Sequence, residues 1–96
     1  MSVRVTLNCV LKTNKTDTLI SFLDTNLPNV RGFDGCLGVA VYFDVERGEM
    51  LLEEAWMSEQ KHYAYIKHIE ENGVLEQLTA FFEMPPSIKY FTKADI

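Results

Sequence analysis

The stretch that decides the fold is Val30–Trp56, VRGFDGCLGVAVYFDVERGEMLLEEAW. It reads as a glycine-rich loop, a strand over Cys36–Asp44, a tight turn and a second strand over Met50–Trp56. Arg47-Gly48 supplies the turn, because short hairpin loops favour glycine. The two strands are therefore predicted to pair antiparallel as a hairpin.

The second of these strands carries an acid and the only tryptophan of the chain. Because side chains alternate along a strand, Met50, Leu52, Glu54 and Trp56 are predicted to share one face of the sheet. An acid among apolar and aromatic side chains is typical of a small pocket. It is also compatible with an ordinary sheet edge.

Length and composition limit the class of protein. The 96 residues are enough for one domain, residues 1–96, and the 47% hydrophobic share predicts a globular chain. The net charge of −5 with no basic cluster disfavours a nucleic-acid partner, since binding phosphates requires a positive patch.

Location is predicted from what the sequence lacks and from its thiols. There is no apolar run of about 20 residues that could cross a membrane. The N-terminal segment is also too short and too alternating for a secretory signal. We expect a cytoplasmic protein with no membrane partner, in which Cys9 and Cys36 pack in strands rather than form a disulfide or a metal site.

The rest of the chain supplies two more strands and two helices. The predicted strands lie over 3–11 and 87–92. The first predicted helix is capped by Asn14 or Thr16 and is stopped by Pro28. The second is predicted over 59–71, with Ser58 as its cap and an end or kink at Asn72-Gly73, and it continues over 74–82 before Pro85-Pro86.

This order is β-α-β-β-α-β, with the second helix in two parts. It predicts an α+β, ferredoxin-like fold with a four-stranded antiparallel sheet and helices on one face. The strand over 36–44 is apolar on both faces and is expected to be central. The other sheet face, expected to include Val3, Val5 and Leu7, is too apolar for water, so we predict a two-fold homodimer through that open face.

Three segments carry a family resemblance: GFDGCLGVAVYFD, LLEEAWMSEQKHYAYIKH and PPSIKYF. Together they resemble the antibiotic biosynthesis monooxygenase superfamily, whose members are small dimeric α/β-barrel proteins. The matching features are the glycine-led strand after Gly32 and Gly35, the Glu54-x-Trp56 pair, Ser58 at the start of its helix, and the closing strand after Pro85-Pro86.

The resemblance implies a pocket between sheet and helices that takes a small, flat aromatic ligand. The implied reaction uses O2 on a quinol or phenol with no cofactor, neither flavin nor metal. The substrate loses a proton, transfers one electron to O2 and recombines with it, while the protein supplies binding and proton transfer. A haem-degrading branch is disfavoured, since Leu75 stands where that branch has its axial histidine.

Candidate catalytic residues lie on the helix after Ser58. His62, Tyr65, Ile66 and Ile69 share one face by their i, i+3, i+4 and i+7 spacing. If that face looks into the sheet, His62 and Tyr65 are the proton-handling pair, since an unperturbed histidine has a pKa of about 6.5. The alternative places His62 in solvent at the start of the helix. His68 is expected to be exposed.

The candidate substrate-binding residues are Asn8, Glu54, Trp56 and Ile66, and the first three have structural alternatives. Asn8 either hydrogen-bonds a substrate oxygen or satisfies a backbone group at a strand edge. Glu54 is either a pocket acid or pairs with a cation such as Arg4. Trp56 either lines the pocket or packs the end of the sheet under the helix.

Three functions remain open at this point. The first is a cofactor-independent monooxygenase acting on a small quinol, phenolic or polyketide-like aromatic. The second is a dimeric small-molecule-binding module without turnover, favoured because the histidine that quinol-type members place near the position of Tyr65 is absent. The third is an isomerase or cyclase on the same barrel.

Overall fold

The computed structural model describes residues 2–96. Its elements are β1 (Val3–Val10), α1 (Thr16–Arg31), β2 (Cys36–Asp44), β3 (Glu49–Trp56), α2 (Glu59–Glu71), α3 (Val74–Thr79) and β4 (Ser87–Phe91). The four strands form one antiparallel sheet in the order β2-β3-β1-β4. The predicted fold class, ferredoxin-like β-α-β-β-α-β with the second helix in two parts, is confirmed. None of the helices within residues 2–96 is long and apolar enough to cross a membrane.

The hairpin between β2 and β3 forms as predicted. Gly48 adopts a φ of 65°, the left-handed conformation that favours glycine. The Asp44 carboxylate accepts the Arg47 backbone N–H at 3.1 Å and pairs with its guanidinium at 2.7 Å. This turn fixes the register that aligns Met50 with Phe43 and Leu52 with Val41.

The inner face of the sheet forms the core with the helices. On β3 the exposed fractions of Met50, Leu52, Glu54 and Trp56 are 0%, 5%, 4% and 0%, which confirms that the four share a buried face. The expectation that Val3, Val5 and Leu7 lie on the open face is wrong, since they are buried in the same core. Alternation shows which residues share a face, but the packing of the helices decides which face is covered.

The expectation that β2 is central is also wrong, because β2 is an edge strand. A strand that is apolar on both faces is typical of the centre of a parallel sheet, and this sheet is antiparallel. In β2 the apolar residues divide between two environments. Val39 and Val41 pack on the core, while Tyr42 lies on the open face and is 53% exposed.

Helix α1 departs from its prediction at both ends. It runs through Pro28 to Arg31, because Val30 is 5% exposed and anchors the last turn in the core. The Pro28 carbonyl accepts the Gly32 N–H at 3.0 Å, which completes that turn. At the start, Lys15 occupies the N-cap position and no side chain caps the helix, so neither predicted cap is used.

Helices α2 and α3 follow the prediction more closely. Ser58 caps α2, its Oγ accepting the Lys61 backbone N–H at 3.2 Å. Gly73, with a φ of 84°, separates α2 from α3. Helix α3 ends at Thr79, short of its predicted end, and Phe82 instead pairs with Leu11 in an isolated antiparallel bridge.

Candidate functional site

The site lies between the inner face of β3 and the helices, and Glu54 is at its centre. One carboxyl oxygen, Oε1, accepts the indole N–H of Trp56 at 2.8 Å. Burial raises the pKa of Glu54, and the hydrogen bond from Trp56 opposes that effect only in part. Arg4 points to the opposite face and pairs with Glu53 at 2.6 Å, so the predicted alternative of an Arg4–Glu54 pair is wrong.

His62 faces the sheet, which is one of the two placements that the sequence left open, and is completely buried. Its Nδ1 lies 2.7 Å from the Tyr90 hydroxyl on β4. Its Nε2 lies 3.7 Å from Glu54 Oε1 and has no hydrogen-bond partner among the described residues. Burial lowers the pKa of His62 to about 4, so the ring is neutral at neutral pH and this approach is not an ion pair.

An aromatic cluster forms the wall beside Glu54. The Tyr65 ring lies 5.4 Å from the Trp56 ring and 5.2 Å from the Phe33 ring, and the His68 ring lies 5.3 Å from that of Phe33 in a tilted arrangement. Burial, with a further contribution from the charge of Glu54, raises the pKa of Tyr65 to about 12. Tyr65 therefore stays a neutral phenol that can donate a hydrogen bond.

An inner cavity of about 50 Å³ lies under the helices, and its lining is almost entirely apolar. The polar residues in its wall are Glu54 from β3, Tyr65 from α2 and Asn26 from α1. Ile66 and Leu75 also contribute to the wall. A buried acid therefore meets a cavity large enough for a few water molecules or a diatomic gas.

An outer cavity of about 260 Å³ adjoins the inner one and is more polar. The wall residues common to both are Asn26, Tyr65, Ile69 and Val74. Asn29, Asn72 and His68 line only the outer cavity. Together the two cavities reach the lower end of the range of small-molecule sites, about 300 Å³.

The structure brings some predicted site residues to the cavities and leaves others behind them. Glu54, Tyr65 and Ile66 line the inner cavity. His62 and Trp56 pack behind Glu54 without lining either cavity, so Trp56 takes its packing alternative.

Asn8 lies on the open face of the sheet, where its amide donates to Glu49 at 3.1 Å. Asn8 therefore lies outside this pocket, and its contact with a substrate stays a prediction. The physical reason is the alternation of β1, which buries Leu7 and Cys9 and turns Asn8 away from the helices.

The sequence reading missed three polar residues of the site. Asn26 lies on the face of α1 that carries Leu23 and Leu27, so helical spacing could have found it. Asn29, one turn on, belongs to the outer cavity. Tyr90 is the third, and no local pattern indicates its contact with His62, because 28 residues separate them. Within residues 2–96, no three side chains of His, Cys, Asp or Glu converge as a metal site.

Comparison with known proteins supports the fold and leaves the activity open. No family model and no curated protein matches the sequence. Among solved structures, the chain superposes on a conserved protein from Methanosarcina mazei Go1 with a TM-score of 0.85 at 17% identity, over 98% of this chain and 94% of that one. Rv0793 from Mycobacterium tuberculosis gives 0.83 at 19% identity, over 100% and 98%.

An antibiotic biosynthesis monooxygenase also superposes with a TM-score of 0.83 at 12% identity, over 96% of this chain and 98% of that one. The chain therefore has the fold of the antibiotic biosynthesis monooxygenase superfamily, and the resemblance stated from the sequence is confirmed at that level. At these identities the likeness establishes the fold alone.

Proposed function

We propose that the protein is a cofactor-independent monooxygenase that oxidises a small quinol or phenolic aromatic with O2 in the cytoplasm. The observation that carries the proposal is Glu54, a buried carboxyl group with a raised pKa in the wall of an apolar cavity. Buried acids of this kind are costly in a core and typical of sites that transfer protons. The fold shared with a monooxygenase supports the same reaction class.

The chemistry follows from the placement of two residues. The Glu54 carboxylate takes the phenolic proton, and the Tyr65 hydroxyl, a neutral donor, stabilises the charge left on the substrate oxygen. The electron-rich anion passes one electron to O2, and the two radicals combine as a carbon-bound peroxide. Glu54 returns its proton to the peroxide, and as the O–O bond breaks the proton on the same carbon leaves with the departing hydroxide as water, so that a carbonyl forms at that carbon. One quinol and one O2 thus give one hydroxylated quinone and one water.

The cavity volumes limit the substrate. The inner cavity alone is too small for an aromatic ring, so a ring must span both cavities and displace the side chain of Tyr65, which lies in the wall of each. A single-ring or two-ring compound fits this space, with its reacting hydroxyl inward at Glu54. Its other polar groups would meet Asn29, His68 and Asn72 in the outer cavity.

Oxygen uptake by the metal-stripped protein against a panel of single-ring and two-ring quinols and phenols tests the proposal, after subtraction of autoxidation. We expect a product with one oxygen gained and two hydrogens lost, with that oxygen derived from labelled O2. Glu54→Gln should lower the rate by about a hundredfold or more, because it removes a proton acceptor while retaining an oxygen for Trp56. The matched control is Glu53→Gln, the adjacent acid on the opposite face.

A binding module without turnover is the second candidate, favoured by the small closed volume of the inner cavity. It predicts that ligands change the fluorescence of Trp56, which is hydrogen-bonded to Glu54, and that no compound of the panel causes oxygen uptake. Ligand binding with no product would replace the monooxygenase proposal by this one. A product of unchanged mass would instead identify an isomerase or cyclase.

We also propose a homodimer through the open face of the sheet. Large apolar side chains stand on or beside this face in water, with Tyr42 53%, Phe91 50% and Leu37 58% exposed. They surround the Arg4–Glu53 ion pair. A second copy related by a two-fold axis would cover the same patch on both chains.

A further inference from the structure

The geometry points to a proton relay, Glu54–His62–Tyr90, that connects the floor of the inner cavity with solvent and makes His62 change tautomer whenever Glu54 gains or loses a proton. As a part of catalysis this relay rests on the proposed function. Its proton chemistry, however, is measurable without any substrate.

Distances and burial outline the path. Glu54 borders the inner cavity and approaches His62 Nε2 with Oε1 at 3.7 Å. Across the same ring, Nδ1 meets the Tyr90 hydroxyl at 2.7 Å. Tyr90 is only partly buried, and its ring lies 5.4 Å from that of Tyr63, which is 51% exposed. The imidazole therefore stands between a buried acid and the hydroxyl of a partly buried tyrosine.

The unpaired Nε2 atom is the feature that packing alone leaves unexplained. A fully buried polar atom without a partner is rare in folded proteins and carries a free-energy cost. Here the potential partner is Glu54 Oε1, a carboxyl oxygen of the site that lies 3.7 Å away. Catalytic hydrogen bonds are often long in the empty site and shorten when ligand binds, so a small rotation of either side chain would close the gap.

Two states of the relay satisfy the same three groups. When Glu54 is a carboxylate, Nε2 carries the proton and faces it, and the Tyr90 O–H donates to Nδ1. When Glu54 is protonated, its O–H faces a bare Nε2, and the Nδ1–H donates to the Tyr90 oxygen. Both states keep the imidazole neutral, in agreement with the effect of burial on its pKa.

One proton moves in or out as the two states exchange. Outward, the Glu54 O–H bond breaks as Nε2–H forms, Nδ1–H breaks as its proton passes to Tyr90, and the former hydroxyl proton of Tyr90 goes to water. Inward transfer reverses each step. His62 and Tyr90 end a full cycle as they began, and Glu54 can be discharged or recharged while ligand blocks the cavity.

Among residues 2–96, His62 has no side-chain hydrogen bond or ion-pair approach other than those to Tyr90 and Glu54. Around the ring are Trp56 from β3 and Tyr90 from β4. The charge of Glu54 is felt by Cys9, Cys36, Tyr65 and Tyr90, whose pKa values it raises, and Glu59 acts on Tyr90 from the surface. No lysine or arginine forms a salt bridge with Glu54 within residues 2–96.

Nitrogen NMR of the two histidines across pH, on the full chain without ligand, tests the relay. His68, exposed on the outer side of α2, gives the reference signal, and a His68→Gln variant assigns it. We expect the two ring nitrogens of His62 to exchange their chemical shifts as Glu54 titrates, with no imidazolium in that range. In Glu54→Gln, His62 should stay in one tautomer at every pH above the one at which His62 itself takes up a proton.

The decisive variant is Tyr90→Phe, which removes only the hydroxyl at the end of the relay. We expect the tautomer switch to disappear, while Tyr63→Phe, its neighbour in the same surface cluster, retains it. A switch that persists in Tyr90→Phe, or a single tautomer throughout the titration of Glu54 in the unaltered protein, would overturn the relay. If the relay passes this test and no quinol is oxidised, the proposed function fails and the relay stands.

Discussion

Acidification should destabilise the protein through His62, in a pH window set by its burial. The pKa of the buried imidazole is lowered from 6.5 to about 4. Because the folded pKa lies below the unfolded one, the unfolded chain binds the proton first as the pH falls. The contribution of the neutral ring is therefore complete above about pH 6.5 and is lost as the pH falls through about 4.

The size of this contribution follows from the shift. Each pKa unit corresponds to about 1.4 kcal/mol, so His62 should account for about 3 kcal/mol of the unfolding free energy between pH 7 and pH 4. Glu54 acts in the opposite sense, since its raised pKa favours the folded state at low pH and that advantage is lost as the pH rises. Glu54→Gln removes this opposing effect and keeps an acceptor for Trp56.

Urea unfolding of Glu54→Gln and of the double variant Glu54→Gln/His62→Gln, at a series of pH values from 7 to 4, isolates the histidine. All other carboxylates contribute equally to both proteins and cancel in the difference. The unfolding free energy of the single variant should fall by about 3 kcal/mol more than that of the double variant. Parallel curves would show that His62 is charged or solvated in the fold, and the reasoning from burial would be refuted.

Two further predictions concern the loop before β2 and the open sheet face. Gly35→Ala should lower the thermal unfolding midpoint much more than Gly48→Ala, although both glycines have a positive φ. The reason is that a Cβ at Gly35 would lie 2.5 Å from the Cβ of Lys61, whereas the space at Gly48 is open. Equal losses would contradict this steric argument. Tyr42→Lys should shift the mass from light scattering from dimer to monomer, while Val45→Lys, in the exposed hairpin turn, should not; a monomeric unaltered protein would refute the dimer.

The parts of the fold that the sequence predicts are those fixed by local chemistry. The turn at Gly48, the cap at Ser58 and the break at Gly73 each depend on a few neighbouring atoms, and each occurs as expected. Pro28 fails as a helix stop because a tertiary contact, the burial of Val30, outweighs the local penalty. The position of β2 fails for a similar reason, since strand order depends on which distant strands pair.

In the candidate site, too, the features set by local sequence are predicted and those set by contacts between distant elements are not. Helical spacing places His62 and Tyr65 on one face of α2, and strand alternation places Glu54 on one face of β3 with Trp56; the packing of the helix on the sheet then brings the two faces together. The contact between His62 and Tyr90 joins α2 and β4, which are distant in sequence, so the periodicity of neither element predicts it. Asn8 shows the converse, because the alternation of its own strand turns it away from the cavity.

Two adjacent acids of β3 lie in contrasting environments. Glu53 is partly exposed and paired with Arg4, an arrangement that costs little. Glu54 is buried beside a neutral imidazole, on the same face as the apolar side chains of Leu52 and Met50. Folding alone gains nothing from a carboxyl group there, and its raised pKa lowers stability at neutral pH. A reaction that must remove a proton in apolar surroundings requires such a group.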